Sequence, residues 1–319
     1  MSISRTVGAR RRAALVAVPL LGALLAAAGC SGNSATPNAG STKAGGSGSA
    51  STVDKIISSA PVASSLPDSP TLKKIKADGK LVYGGTASAP LFSLKDPTSG
   101  DLTGFDADLA KMLAKYITGK PQTDMKQVQV ETREALLQNH SVNAVFATYT
   151  ITPERAQKVA FAGPYYSSGD AILVKKDNTS IKTVKDLNGK KVATESSSTA
   201  ANDLKKFAPK AKVQLFEENN DCLQAVQQGR VDAYVLDQGI LVGDASTNSD
   251  VKVVGQPFTA EPYGIGLPKD DPAYKKFVND WLTKIEQDGT WAKLWKATIG
   301  TVVSGSAPEP PKLGSVKGS

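Results

Sequence analysis

Cysteine is nearly absent: the 319 residues hold two, Cys30 and Cys222. That excludes a disulfide-dense scaffold, so stability must come from a buried apolar core. Histidine is rarer, with His140 alone, in a position that reads as a surface turn after a helix rather than as a catalytic base. No His/Cys/acid grouping has metal-ligand spacing, and Gly264-Ile265-Gly266 lacks the third glycine and the following helix of a phosphate-cradling loop. No metal, no cofactor and no catalytic residue is expected. Lysines are scattered rather than gathered into a patch, which argues against nucleic acid. Of the formal charge of +8, four charges belong to Arg5, Arg10, Arg11 and Arg12.

Long apolar runs are also missing. Ala13–Ala28 is an apolar stretch of 16 residues, short of the ~20 that a spanning helix needs. Behind its basic head it reads as a secretory signal over residues 1–29. Arg10-Arg11-Arg12 permits twin-arginine export without establishing it. Leu24-Leu25-Ala26-Ala27-Ala28-Gly29-Cys30 resembles a bacterial lipobox, with Ala27 where Leu is usual. Acylation of Cys30 would anchor the mature chain to a membrane. Residues 30–68 are rich in Ser, Gly, Ala, Asn and Thr and are expected to form a flexible tether. The Pro- and Gly-rich segment 301–319 is expected to be disordered.

The stretch between has room for one large domain or two lobes. Ser69-Pro70 opens a helix that ends at Gly79, and Lys80 to Thr86 reads as a strand. Phe105, Leu109, Met112, Leu113 and Tyr116 recur at helical spacing. Gln127 to Val130 reads as a strand, Arg133 to Asn139 as a helix and Val142 to Thr148 as a strand. A similar series follows Lys176: strands at Lys191–Thr194, Val213–Phe216 and Val231–Leu236, with helices after Thr199 and over Asp221–Gln228. Alternation of this kind predicts mostly parallel sheets flanked by helices, and its repetition predicts two lobes. Two last helices, over Pro272–Gln287 and Thr290–Lys296, carry Trp281, Trp291 and Trp295, which are expected to pack rather than to stack on a ligand.

The most informative stretch is Ala147-Thr148-Tyr149-Thr150-Ile151-Thr152-Pro153-Glu154-Arg155, followed by Phe161-Ala162-Gly163-Pro164-Tyr165-Tyr166. A strand ends in a hydroxyl-rich turn, and Thr152-Pro153 suits the start of a short helix carrying Arg155. Carboxyl ends of parallel strands are where α/β proteins bind ligands, and Arg grips a carboxylate with two hydrogen bonds. Without further context, an exposed Arg after a helix cap would explain the same residues.

The further context is a resemblance to family 3 extracellular solute-binding proteins, the polar amino-acid receptors of ABC importers. It runs from Ser69 to Gly300 through Gly104-Phe105-Asp106-Ala107-Asp108-Leu109-Ala110, the Thr-Pro-Glu-Arg turn and Gly229-Arg230-Val231-Asp232-Ala233. Tyr263-Gly264-Ile265-Gly266-Leu267 and Leu136-Leu137-Gln138-Asn139 are most similar to actinobacterial glutamate-binding lipoproteins. The resemblance implies a two-lobed, type II periplasmic-binding-protein-like α/β fold with a two-segment hinge. Lobe I would comprise 69–176 and 257–300, and lobe II 177–256. It also implies that Arg155 and Thr150 hold a ligand α-carboxylate, aided by backbone at Thr148, with Ser198 and Thr199 from lobe II. Asp237 would accept the ammonium, Arg133 would reach an acidic side chain, and Phe92 is the nearest aromatic for the cleft.

Glutamate is the implied ligand, with aspartate, glutamine and other polar amino acids remaining open. Glu195 stands where a pocket-facing apolar residue is common, and is expected to point away or to pair with a base. Cys222 resembles half of a disulfide whose partner position is Ala193 here, so that bridge is absent. The expected partners are an ABC permease with its ATPase and a membrane reached through Cys30. The expected location is the extracellular side of the cytoplasmic membrane, as a monomer without enzymatic activity. A cyclohexadienyl dehydratase on the same fold, or a sensor acting through a separate membrane protein, are the alternatives.

Overall fold

The computed structural model describes residues 51–319. The signal segment, Cys30 and the first part of the tether lie outside the described residues.

Lobe I begins with helix α1 (Thr52–Ser59), α2 (Pro70–Asp78) and strand β1 (Leu81–Gly85). A small ribbon follows, formed by β2 (Ser88–Ala89), β3 (Ser93–Lys95) and β4 (Leu102–Thr103). The lobe continues with α3 (Phe105–Thr118), β5 (Thr123–Gln127), α4 (Arg133–Gln138), β6 (Ala144–Val145), α5 (Pro153–Ala156) and β7 (Ala160–Ser168). The second lobe holds β8 (Asp170–Lys175), β9 (Lys191–Glu195), α6 (Thr199–Phe207), β10 (Lys212–Phe216), α7 (Asn219–Gln227), β11 (Ala233–Asp237), α8 (Gln238–Thr247) and β12 (Val251–Val254). The chain then returns with β13 (Glu261–Leu267), α9 (Pro272–Gln287) and α10 (Thr290–Ala297).

Two five-stranded sheets result, ordered β5-β1-β6-β13-β7 and β10-β9-β11-β8-β12. In each, one strand opposes the rest: β13 runs antiparallel to β6 and β7, and β8 to β11 and β12. Each opposing strand is the one that arrives from the other lobe.

Pleat alternation explains how the first sheet is covered on both faces. Leu81 and Tyr83 enter the main core with Leu109, Met112 and Trp281, while Val82 packs against a smaller cluster of Leu137, Tyr149 and Phe161. Ser69 caps α2 by accepting the Leu72 N–H at 3.0 Å. Asp271 accepts from the Ser69 hydroxyl and the Thr71 N–H, and also caps α9 through the Tyr274 N–H. One carboxylate thus ties the starts of two helices distant in sequence. All three tryptophans are buried, and the indole N–H of Trp291 donates to the Tyr165 carbonyl at 3.0 Å.

Several expectations need correction. Within the expected tether, Thr52–Ser59 form α1, capped by Ser51 and Asp54, with Ile56 and Ile57 buried. An apolar pair one turn above a capping box was enough to dock it, and Lys115 Nζ closes its far end on the carbonyls of Ile57, Ser58 and Ala60. The crossing into lobe II falls at Gly169 rather than after Lys176, because Asp170–Lys175 pairs with β11 and β12. The expected strand at Gln127–Val130 lies earlier, at Thr123–Gln127, and Val142–Thr148 pairs only at Ala144–Val145. Segment 301–319 is irregular but packed: Ala307 and Leu313 lie on the main core, Val316 lies on the smaller cluster, and the Gly314 N–H donates to the Gly163 carbonyl.

Candidate ligand-binding site

The chain leaves β6 through a strained turn. Thr148 has φ of 45°, a left-handed conformation uncommon for a β-branched residue. Its N–H donates to Asp106 at 2.8 Å, and the same buried carboxylate accepts the Tyr165 hydroxyl at 2.6 Å. Burial pushes the Asp106 carboxyl up to about 6, although Tyr165 and Thr148 work in the other direction. Beyond the turn, Thr150 bridges to Tyr263 of β13. Thr152 accepts the Arg155 N–H and Pro153 occupies the first helical position, which starts the one-turn α5.

That turn aims Arg155 across the cleft. One Nη donates to the Thr150 carbonyl at 2.8 Å, and the other to the Ser197 carbonyl of lobe II at 3.3 Å. Arg133, the first residue of α4, is buried; its Nη1 donates to the Ala147 carbonyl at 3.0 Å and its Nε to the Val130 carbonyl at 3.2 Å. The two guanidinium groups lie 4.0 Å (Arg133) and 5.2 Å (Arg155) from the ring centre of Tyr149. Burial and the nearby Arg155 lower the Arg133 guanidinium to about 10, so it stays charged at neutral pH.

Lobe II answers with the end of β9. Ser198 caps α6 by accepting the Ala201 N–H at 3.1 Å, and its hydroxyl donates to the Glu195 carbonyl at 2.7 Å. Thr199 opens the helix, whose first N–H groups suit an anion. Glu195 lines a narrow interlobe cavity of about 50 Å³ together with Arg133, Ala147, Thr148, Ser88 and Asn219. Burial raises its carboxyl to about 7, with Arg133 opposing the shift and Asp237 adding to it. Asp237, at the end of β11, is buried with Oδ1 unpartnered, and burial and Glu261 push its carboxyl upward.

The structure therefore gathers Arg133, Thr148, Thr150, Arg155, Ser198, Thr199 and Asp237 around the meeting of the lobes. Phe92 is different. It is wholly buried, edge-on to Tyr166 and Tyr263, and does not line the cavity. Ser88 and Ala89 of the neighbouring β2 line the cavity instead. Glu195 does not point away: it faces the same cavity as Arg133, though no ion pair joins them among the described residues.

Sequence reading also missed Asn219. Its buried amide donates to the Ser88 carbonyl across the cleft at 2.9 Å and to Asp244 at 3.0 Å, and it accepts the Tyr234 hydroxyl at 2.9 Å. No local signal marked it, since its partners come from three separate stretches. The bond to Ser88, with Gln129 donating to Glu217 at 2.9 Å, joins the two lobes across the cleft.

A profile described as bacterial extracellular solute-binding proteins, family 3, matches residues 81–301. The chain belongs to that family. Its solute-binding relatives include the ABC transporter glutamine-binding protein GlnH of Bacillus subtilis, 39% identical over 231 residues, or 72% of this chain and 84% of that protein. The glutamate-binding protein GluB of Corynebacterium glutamicum is 33% identical over 235 residues, covering 70% and 79%. Among solved structures, an ancestral arginine-binding protein bound to glutamine superposes with a TM-score of 0.66 at 38% identity, covering 70% of this chain and 98% of that one. As in these family 3 proteins, two α/β lobes are joined by two crossing segments. Among the described residues no helix is long and apolar enough to cross a membrane.

Proposed function

We propose that this solute-binding protein captures a polar amino acid outside the cell for an ABC permease and its ATPase, and that glutamine is the preferred ligand. Arg155, with Thr150 and the N–H groups at the start of α6, takes the α-carboxylate. Asp237 takes the ammonium. The observation that carries the side-chain choice is that Arg133 and Glu195 line one cavity. A guanidinium offers only donors and a carboxylate only acceptors. A carboxamide satisfies both, whereas a second carboxylate would face Glu195 with like charge. This replaces glutamate, implied by Arg133 alone, with glutamine.

Glutamate remains the second reading, supported by Arg133 and by the likeness to GluB. Acylation at Cys30 would hold the protein at the membrane beside its permease.

The test is calorimetric titration of both amino acids at pH 8, where Glu195 is ionised. Glutamine should bind about 100-fold or more tightly, the scale of a buried unpaired charge. Glu195→Gln should narrow that ratio at least tenfold. Equal affinities in the unmodified protein, or glutamate the tighter, would return the assignment to the acidic ligand. Recovery of the ligand unchanged after incubation separates all of these from a dehydratase.

A further inference from the structure

Beside the cleft, three acids far apart in the sequence converge where the lobes are joined. Asp170 opens β8, directly after the crossing at Gly169; Glu261 opens β13, directly after the return crossing; Asp203 lies within α6. One carboxylate oxygen from each lies within 4.8 Å of the other two. Asp170 is 0% exposed, and neither of its carboxylate oxygens has a hydrogen-bond partner. Glu261 is 3% exposed with Oε2 equally unpartnered. Asp237, the register partner of Asp170 across the sheet, adds a fourth acid nearby.

The basic groups facing this cluster are Lys206 beside Asp203 and Arg155 beside Asp237. Neither forms an ion pair with the three acids within the described residues. Carboxylates removed from water without partners cost several kcal/mol each, so an arrangement of this kind is relieved either by a bound cation or by protons held on the acids.

We propose that Asp170, Asp203 and Glu261 form a binding site for a divalent, oxygen-preferring cation of the calcium class. Calcium accepts six to eight oxygens at about 2.3–2.6 Å, so ligands on opposite sides of it stand about 4.6–5.2 Å apart, a span that the three carboxylates fit. The hydroxyl of Thr259, close to Glu261 and outside the residues assigned to the amino acid, offers a neutral oxygen, and water completes the shell. Sequence reading excluded a metal site because no two of these acids share a motif.

Such a cation would tie β8 to β13 and both to α6. It would stiffen the two crossing strands and the helix whose first turn faces the cleft. The competing occupant is a proton: burial, then Asp237 and Glu261, push the Asp170 carboxyl strongly upward, so a neutral Asp170 can share a hydrogen with Asp203.

The experiment uses the full chain stripped with EDTA and titrated with calcium chloride at pH 7.5, without amino acid, so its outcome is independent of which amino acid binds. Expected are one saturable calcium site per chain and a rise in Tm on adding calcium. Asp203→Asn, at a half-exposed helix position where folding is tolerant, should weaken calcium at least tenfold with little change in the calcium-free Tm. Absence of saturable binding up to millimolar calcium, with Asp170→Asn raising Tm whether or not calcium is present, would assign the cluster to protons and overturn the proposal. Calcium binding unchanged in both Asp203→Asn and Glu261→Gln would place the ion elsewhere and overturn it equally.

Discussion

Two guanidinium groups share the ring of Tyr149, one over it at 4.0 Å and one at 5.2 Å. Each gains from the aromatic face, yet their like charges repel, and an anion between the lobes relieves that repulsion. Arg155 also spans the cleft, so Arg155→Ala should lower affinity for every amino acid at least 100-fold in calorimetric titration, with little selectivity. The thermal midpoint of the ligand-free protein should move little, because the residue is half-exposed.

Glu195 makes a prediction about pH. Its carboxyl is held near 7 in the fold against 4.5 ordinarily, so the folded protein binds more protons than the unfolded chain between those values. Its contribution to stability is therefore present below about 4.5 and lost as pH rises through about 7. Under the proposed function, binding follows the same proton. A neutral Glu195 can donate to an acidic ligand, so the glutamate-to-glutamine affinity ratio should rise on going from pH 8 to pH 6. Glu195→Gln should flatten that dependence; a ratio that stays constant in the unmodified protein would remove Glu195 from the side-chain pocket.

At the scale of elements, α1 and the crossing strands are the informative cases. Helix α1 stands in a stretch whose composition predicts disorder, and it folds because Ile56 and Ile57 reach the main core. Ile57→Ala should cost about 2–4 kcal/mol, measured by denaturant unfolding; a loss below about 0.5 kcal/mol would show that the helix adds nothing to the domain. The crossing strands are bound to each other: the Asp170 N–H donates to Thr259 Oγ1 at 2.7 Å and the Phe258 N–H to the Asp170 carbonyl at 2.9 Å. A Cβ on Gly169 would sit 2.3 Å from the Thr259 carbonyl oxygen, so only glycine permits this approach. Gly169→Ala should force the strands apart, lower Tm by several degrees and weaken ligand binding together. Most elements were legible in the sequence because helix caps and apolar periodicity act within a few residues: α2, α3 and α9 lie where Ser69, the Phe105–Tyr116 pattern and Pro272 place them. Strand ends were not, since pairing partners decide where a strand stops, and β6 pairs at two residues only.

For the whole molecule, the proposed function rests on closure. The closed lobes meet through Arg155, Asn219 and Gln129, so a ligand reaches the cleft only when they part, and its contacts to both lobes then favour the closed form. Glutamine at 100 times its dissociation constant should stabilise the protein by about 2.7 kcal/mol, readable as a shift in Tm. Small-angle scattering should show a smaller radius of gyration with ligand than without; equal radii would argue that the free protein already rests closed.

By itself the sequence determined the α/β class, the doubled lobe, the caps and the hydroxyl-rich turn that presents Arg155, because each of these rests on residues close together in the chain. Tertiary structure alone decided that Glu195 would share a cavity with Arg133, that Phe92 would be buried against Tyr166, Tyr263 and Gly239 of the other lobe, and that Asp170, Asp203 and Glu261 would meet. In each of those cases the neighbours come from opposite lobes or from different crossings of the hinge. Burial and electrostatic environment depend on what the fold brings alongside a residue, and the local pattern of the chain does not contain that.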